Sequence, residues 1–168
     1  MRGKVTGAAV FVVVVFLDQL TKFLAMSYLQ PGHVKPLIGD FVSLQLISNP
    51  GAAFSLGIGA APLFTVIALV VLVVIALYIR RVTSLWWIVA LMLLAAGAFG
   101  NLIDRLVQSP GWGRGHVVDF INYKGFFVGN VADIAIVIAV VIILSLTFMG
   151  SDPQVKVTES HGGDADAA

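Results

Sequence analysis

The chain has 168 residues, 59% of them hydrophobic and 11% charged, with a net charge of +1 and a mean hydropathy of +1.00. Soluble domains carry roughly 25% charged residues, so an ordinary soluble fold is excluded and one membrane-embedded unit over residues 1–149 is expected. A net charge this small removes any general pull toward nucleic acid. The absence of cysteine rules out disulfides, thiolate metal sites and a cysteine nucleophile.

The first apolar segment runs from Val5 to Leu29. Arg2 and Lys4 followed by GAAVFVVVVFL have the form of a signal peptide, but AMS is a poor cleavage site. DQLTK (18–22) argues for a retained helix. Asp18 and Lys22 lie one turn apart and can form a structural pair, without which each would be costly at that depth. In the loop that follows, FVSLQLIS (41–48) partly alternates and breaks at NPG (49–51). This predicts a short strand and turn at the membrane surface, with AAFSLGIG returning as a second strand. AFSLG (53–57) lacks the first glycine of a nucleophile elbow and its strand-to-helix setting.

The second and third segments, Pro62–Ile79 and Thr83–Asp104, flank a turn with Arg80 and Arg81, and the third closes on GNLID (100–104). After the turn-rich SPGWGRG comes HVVDFI (116–121). The fourth segment runs from Val131 to Met149 and is entered through GNVAD (129–133). Each segment can cover a hydrocarbon core of roughly 30 Å, and unalternating runs of this length span lipid as helices. From Gly150 the chain is polar and rich in small residues, which predicts a disordered cytoplasmic tail over 150–168.

Basic residues in the short flanks, Arg2, Lys4, Arg80 and Arg81, mark the cytoplasmic side. Both termini are then inside, with loops 30–61 and 105–130 outside. GNLID and GNVAD fall at one depth near the outer interface, with Asp18 and Lys22 at similar height. Simple structural roles are open to several of these residues. Asn130 and Asp133 fit a capping box, and Asp104 beside Arg105 fits an interfacial ion pair. Asp119, set among Val117, Val118, Phe120 and Ile121, has no local partner except His116. No ligand spacing demands a metal at His116, Asp119 and Asp133, and neither metal nor cofactor is expected.

In order along the chain, LDQLTK (17–22), NPGAAFS (49–55), GNLIDR (100–105), VVDFI (117–121) and NVAD (130–133) resemble the motifs of bacterial lipoprotein signal peptidases. These intramembrane aspartyl peptidases form the signal peptidase II family. The resemblance covers about residues 17–138. It implies an all-α polytopic fold of four transmembrane helices, with a small extracytoplasmic β-cradle from loop 30–61 and a short extracytoplasmic helix from loop 105–130. It places the catalytic acids on Asp119 and Asp133 and a substrate-binding surround on Asp18, Asn49, Asn101, Arg105 and Asn130. Lys22 and Asp104 match positions that look structural.

Two departures stand out. The family's aromatic before the NxAD asparagine is Gly129 here, so Phe126 or Phe127 is expected to supply the ring. The stretch VQSPGWGRGH is longer than in compact members, which changes the flap over the site. The resemblance further implies a diacylglyceryl-modified prolipoprotein as substrate, cleaved on the amino side of its lipidated cysteine. The setting is the outer face of a bacterial cell membrane, with lipid and substrate as partners and the protein a monomer. The residues by themselves leave open a small proton-coupled transporter, since intramembrane acids also mark proton paths. That reading calls for charge near the midplane, where the second and fourth segments have none.

Overall fold

Backbone groups have no water to bond in lipid, so an apolar run must satisfy them internally. The computed structural model describes residues 2–51 and 61–154, and in it the apolar runs are four helices. They are α1 (Arg2–Tyr28), α2 (Ala61–Tyr78), α3 (Leu85–Val107) and α4 (Val131–Phe148), all long and apolar enough to cross a membrane. The third helix continues one turn past Asp104 and so carries Arg105 on its frame.

The bundle is organised around α3, which packs against each of the other helices. Over half of its most apolar window (56%) is buried, against 17% for each of the others. Towards one end Ile75, Val82, Ile88, Leu91 and Ala95 form an apolar cluster. Towards the other, the run AAGAFG (95–100) keeps α3 thin, as small residues do wherever membrane helices approach closely. A Cβ on Gly97 would strike the Ala132 carbonyl, and one on Gly100 would lie 2.5 Å from Asp18 Oδ2. These two glycines let α4 and α1 bring polar side chains to the same stretch of α3.

Above that end lies an antiparallel sheet of β1 (Lys35–Ile38), β2 (Val42–Asn49), β3 (Val117–Tyr123) and β4 (Phe127–Gly129), in that order. The strand expected at 41–48 is β2. The return strand expected from AAFSLGIG lies outside the described residues, and β2 is flanked by β1 and β3. Loop 105–130, where a short helix was expected, supplies two strands instead. VVDFINY is β-branched and aromatic, suiting a pleated surface, and Lys124 (φ 52°) and Gly125 (φ 80°) turn the chain back into β4. The fold is thus four helices plus a small sheet, which "all-α" describes only loosely. Pairing of Asn49 with Val117 and of Ile47 with Asp119 sets the end of β2 beside Asp119. Pairing of Ile121 with Gly129 leads β4 directly into α4. At the opposite end of the bundle, the Pro153 carbonyl accepts the backbone N–H groups of Thr83 and Ser84, and the Ser151 carbonyl accepts Trp87 Nε1. Residues 155–168 of the expected tail lie outside the described residues.

Candidate active site

Asp119 sits in the middle of β3 and Asp133 in the first turn of α4, and both line one cavity of about 370 Å³. Asp119 is 2% exposed. Its Oδ1 accepts Asn130 Nδ2 at 2.7 Å and its Oδ2 accepts Asn49 Nδ2 at 2.7 Å. Asp133 Oδ1 accepts Asn101 Nδ2 at 2.8 Å, and its Oδ2 accepts the Asn130 backbone N–H at 3.1 Å. All four carboxylate oxygens are therefore held, three of them by side-chain amides. Burial pushes the Asp119 carboxyl up to about 7. The neighbouring Asp133 charge pushes the same way, while the Asn49 and Asn130 hydrogen bonds and the Lys22 charge pull it down.

The amides are not free to turn. Asn49 Oδ1 accepts the Gly51 N–H at 2.9 Å, an Asx turn in which Gly51 takes φ +102°. That is the use of glycine in NPG. Asn130 caps α4, its Oδ1 accepting the Asp133 N–H at 3.0 Å, so the expected capping box is present. Asn101 Oδ1 accepts both Lys22 Nζ (3.0 Å) and Asn130 Nδ2 (3.1 Å). With each oxygen held by donors, each NH₂ faces a carboxylate.

Beneath the two acids lies a second cluster. Lys22 Nζ pairs with Asp18 Oδ2 at 2.9 Å and with Asp104 Oδ2 at 2.8 Å, and all three residues are essentially buried. Asp104 also accepts the Val118 N–H at 3.0 Å, and Asp18 Oδ1 accepts the Ala132 N–H at 2.9 Å. These bonds tie α1 and α3 to the backbone one residue away from Asp119 and from Asp133. The expected Asp104–Arg105 pair does not form. Successive helical residues point about 100° apart, so Asp104 faces α1 while Arg105 faces α2. There the Arg105 guanidinium lies 5.3 Å from the centre of the Phe64 ring. Arg105 is 8% exposed and lines the cavity, yet its Nη1 has no hydrogen-bond partner among the described residues.

A buried pair of carboxyls with one raised well above the carboxylate range, facing a cavity walled in part by apolar residues of α2 and α4, is suited to acid–base hydrolysis. The family model for signal peptidase II matches residues 10–149. The chain belongs to the signal peptidase II family. It is 44% identical over 142 residues to the lipoprotein signal peptidase of Rhodococcus jostii, spanning 84% of this chain and 72% of that one. It is 45% identical to the lipoprotein signal peptidase of Streptomyces coelicolor, spanning 91% and 76%. Two solved structures of bacterial membrane enzymes superpose with TM-scores of 0.75 and 0.74 at 30% identity. They cover 84% and 90% of this chain and 92% and 94% of their own. The transporter reading receives no support.

Of the positions the resemblance assigns, Asn49, Asn101, Arg105, Asp119 and Asp133 line the cavity. Asn130 bonds both acids from beside it. Asp18 does not reach the cavity: it is fully buried and acts on the α4 backbone and Lys22. His116 is not a partner of Asp119 and instead meets Ser48 Oγ through Nδ1 at 2.9 Å. The missing aromatic is supplied by Phe127, since Phe126 is 91% exposed. Residues 127 and 129 share a face of β4, and the Phe127 ring occupies the space a Gly129 side chain would take, beside Asp133 Oδ2.

Three cavity residues escaped sequence reasoning. Phe64, Ile136 and Val137 look like any other apolar residue of a membrane helix. Gln19 also escaped. Its Nε2 bridges Asp18, Asp104 and the Gly100 carbonyl, and its position inside DQLTK was the one available signal.

Proposed function

We propose how this chain performs the work of its family, that of an aspartic peptidase of the signal peptidase II type, a multi-pass bacterial membrane protein that removes signal peptides from prolipoproteins. We propose that Asp119 and Asp133 are its catalytic pair, with Asn49, Asn101, Asn130 and Arg105 as the polar surround and Asp18 supporting α4 from behind. The observation that carries this reading is the meeting of the two acids on one cavity, with every carboxylate oxygen held by an N–H donor.

At neutral pH the pair carries one proton, because two ionised carboxylates this close repel. The ionised member takes a proton from a water, and the water oxygen attacks the scissile carbonyl. The protonated member hydrogen-bonds the developing oxyanion, the C–N bond breaks, and a proton passes to the leaving amine. Acid and base roles belong to the pair rather than to either residue, because coupled carboxyls titrate together. Arg105, with a buried N–H to spare, binds a substrate carbonyl at the cavity wall. The substrate bears a diacylglyceryl cysteine and is cut on its amino side at the outer leaflet, with both protein termini cytoplasmic. Its acyl chains lie in lipid and hold the scissile bond at the depth of the acids.

Asp119→Asn and Asp133→Asn test the pair. Each is expected to fold in detergent and to cleave a lipidated precursor peptide no faster than background. Near-native turnover by either variant refutes the assignment.

A further inference from the structure

Lys22 is a buried cation that bonds neither Asp119 nor Asp133 and does not line the cavity. Two of its N–H groups meet Asp18 and Asp104. A structural role accounts for those two contacts, the first within α1 and the second holding α1 to α3. The third N–H is directed to Asn101 Oδ1 at 3.0 Å, which brings no charge neutralisation. What it does is select one of the two ways an amide can face. With Lys22 Nζ and Asn130 Nδ2 both donating to Oδ1, the Asn101 NH₂ points at Asp133 Oδ1, 2.8 Å away. If the amide were turned over, its NH₂ would face an ammonium and another NH₂, and its oxygen would face a carboxylate oxygen. Each of these contacts is repulsive.

Asn101 differs here from the other two amides. Asn49 and Asn130 are oriented by backbone N–H groups of Gly51 and Asp133, which the local turn and helix cap supply automatically. Asn101 lies within α3, where backbone N–H groups are spent on the helix itself, so its orientation has to be set by side chains. We infer that Lys22 is a positioning residue for the hydrolysis: it orients the Asn101 amide and so holds Asp133 Oδ1 in place for the water. This rests on Asp119 and Asp133 being the catalytic pair.

The test is a double-mutant cycle between positions 22 and 101, read as kcat and KM on a lipidated precursor peptide. Lys22→Met keeps an unbranched side chain one atom shorter and removes the donors. It is expected to lower kcat roughly 10- to 100-fold, as for loss of a charge-assisted hydrogen bond. KM should stay within about threefold, because uniform binding is untouched. In an Asn101→Ala background, where no amide remains to orient, the same substitution should lower kcat by less than about threefold. An equal loss in both backgrounds means that Lys22 acts through the fold or through its charge on Asp119, not through Asn101, and overturns the inference.

Lys22→Met leaves two buried carboxylates facing each other and can fail to fold. Lys22→Met with Asp104→Asn, compared with Asp104→Asn alone, keeps the native charge of the Asp18, Lys22 and Asp104 cluster. It is expected to show the same fall in kcat at matched thermal stability, and an unchanged kcat refutes the proposal. Asp133→Asn is measured in parallel. If it stays active, the catalytic pair is wrong; if it is dead while the cycle is additive, only the role of Lys22 fails.

Discussion

Asn130 does two jobs at once, and one substitution separates them. Its Oδ1 caps α4, while its Nδ2 donates to Asp119 Oδ1 at 2.7 Å and to Asn101 Oδ1 at 3.1 Å. Aspartate caps a helix as well as asparagine does, so Asn130→Asp keeps the bond to the Asp133 N–H and loses only the donor. Loss of a hydrogen bond to a charged group costs about 1.5–3 kcal/mol, equivalent to roughly 10- to 150-fold in rate. The replacement oxygen also faces Asp119. Two carboxylates at hydrogen-bond distance repel by about 6 kcal/mol at an effective dielectric of 20, so the new group draws off the proton that the pair needs. The combined loss in kcat/KM should exceed 100-fold, with the cap of α4 intact. Asn130→Ala adds loss of the cap, about 1 kcal/mol, or a fall of about 2–4 °C in Tm. The assay is cleavage of a lipidated precursor peptide in detergent alongside unfolding followed by tryptophan fluorescence. An Asn130→Asp protein of native stability with activity within threefold of native refutes the role given to the amide.

Activity should fall as pH rises beyond about 7, the value to which burial pushes Asp119, because the pair then loses the proton it shares; a kcat/KM profile flat to pH 9 contradicts this. The sign for stability is the same, because the native state holds this proton more tightly than the unfolded chain. The contribution is full below the ordinary value of 3.8 and is lost as pH passes about 7. Gly100→Ala places a Cβ 2.5 Å from Asp18 Oδ2 and should cost about 1–3 kcal/mol; a native Tm with native activity would show that the close approach is not needed. An unlipidated precursor should be cleaved very poorly even at high concentration, with turnover reduced as well as affinity, since each buried methylene contributes about 0.8 kcal/mol that serves positioning. Equal cleavage of lipidated and unlipidated peptides contradicts that use of the acyl chains.

Helix number, the strand at 41–48 and the cap of α4 were legible because each depends on residues close in sequence: unbroken apolar runs, alternation, and an Asn three residues before an Asp. Asp119 was legible as an anomaly, a carboxylate among four apolar neighbours. The errors lie where side-chain direction or long-range pairing decides. Asp104 and Arg105 are adjacent in sequence but lie on different faces of α3, one against α1 and the other over Phe64. Only the positions of α1 and α2 distinguish them. The strand β3 of loop 105–130 depends on β2, more than 60 residues earlier, for its pairing, and β4 in turn pairs with β3. Phe127 was recoverable in part, since strand periodicity puts it on the face of Gly129, but its contact with Asp133 depends on how β4 enters α4.

The separation of charge from amide around the acids has a chemical reason. An ammonium in direct contact with either acid would favour its ionised form, and a pair with both members ionised has no proton to give the oxyanion. Neutral amides fill the lone pairs of a buried carboxylate, avoiding the cost of unsatisfied acceptors, while adding no net charge. The chain accordingly places three amides in contact with the acids and keeps Lys22 one residue further back. There Asp18 and Asp104 compensate it at 2.9 and 2.8 Å. The cation still acts on Asp119 at a distance through its charge, and beyond those two partners it makes direct contact only with the Asn101 amide that it orients. This also explains why the cluster is built across α1, α3 and the head of α4. Gly97 and Gly100 let those helices come close enough for a lysine on one helix to orient an amide on a second that holds a carboxylate on a third.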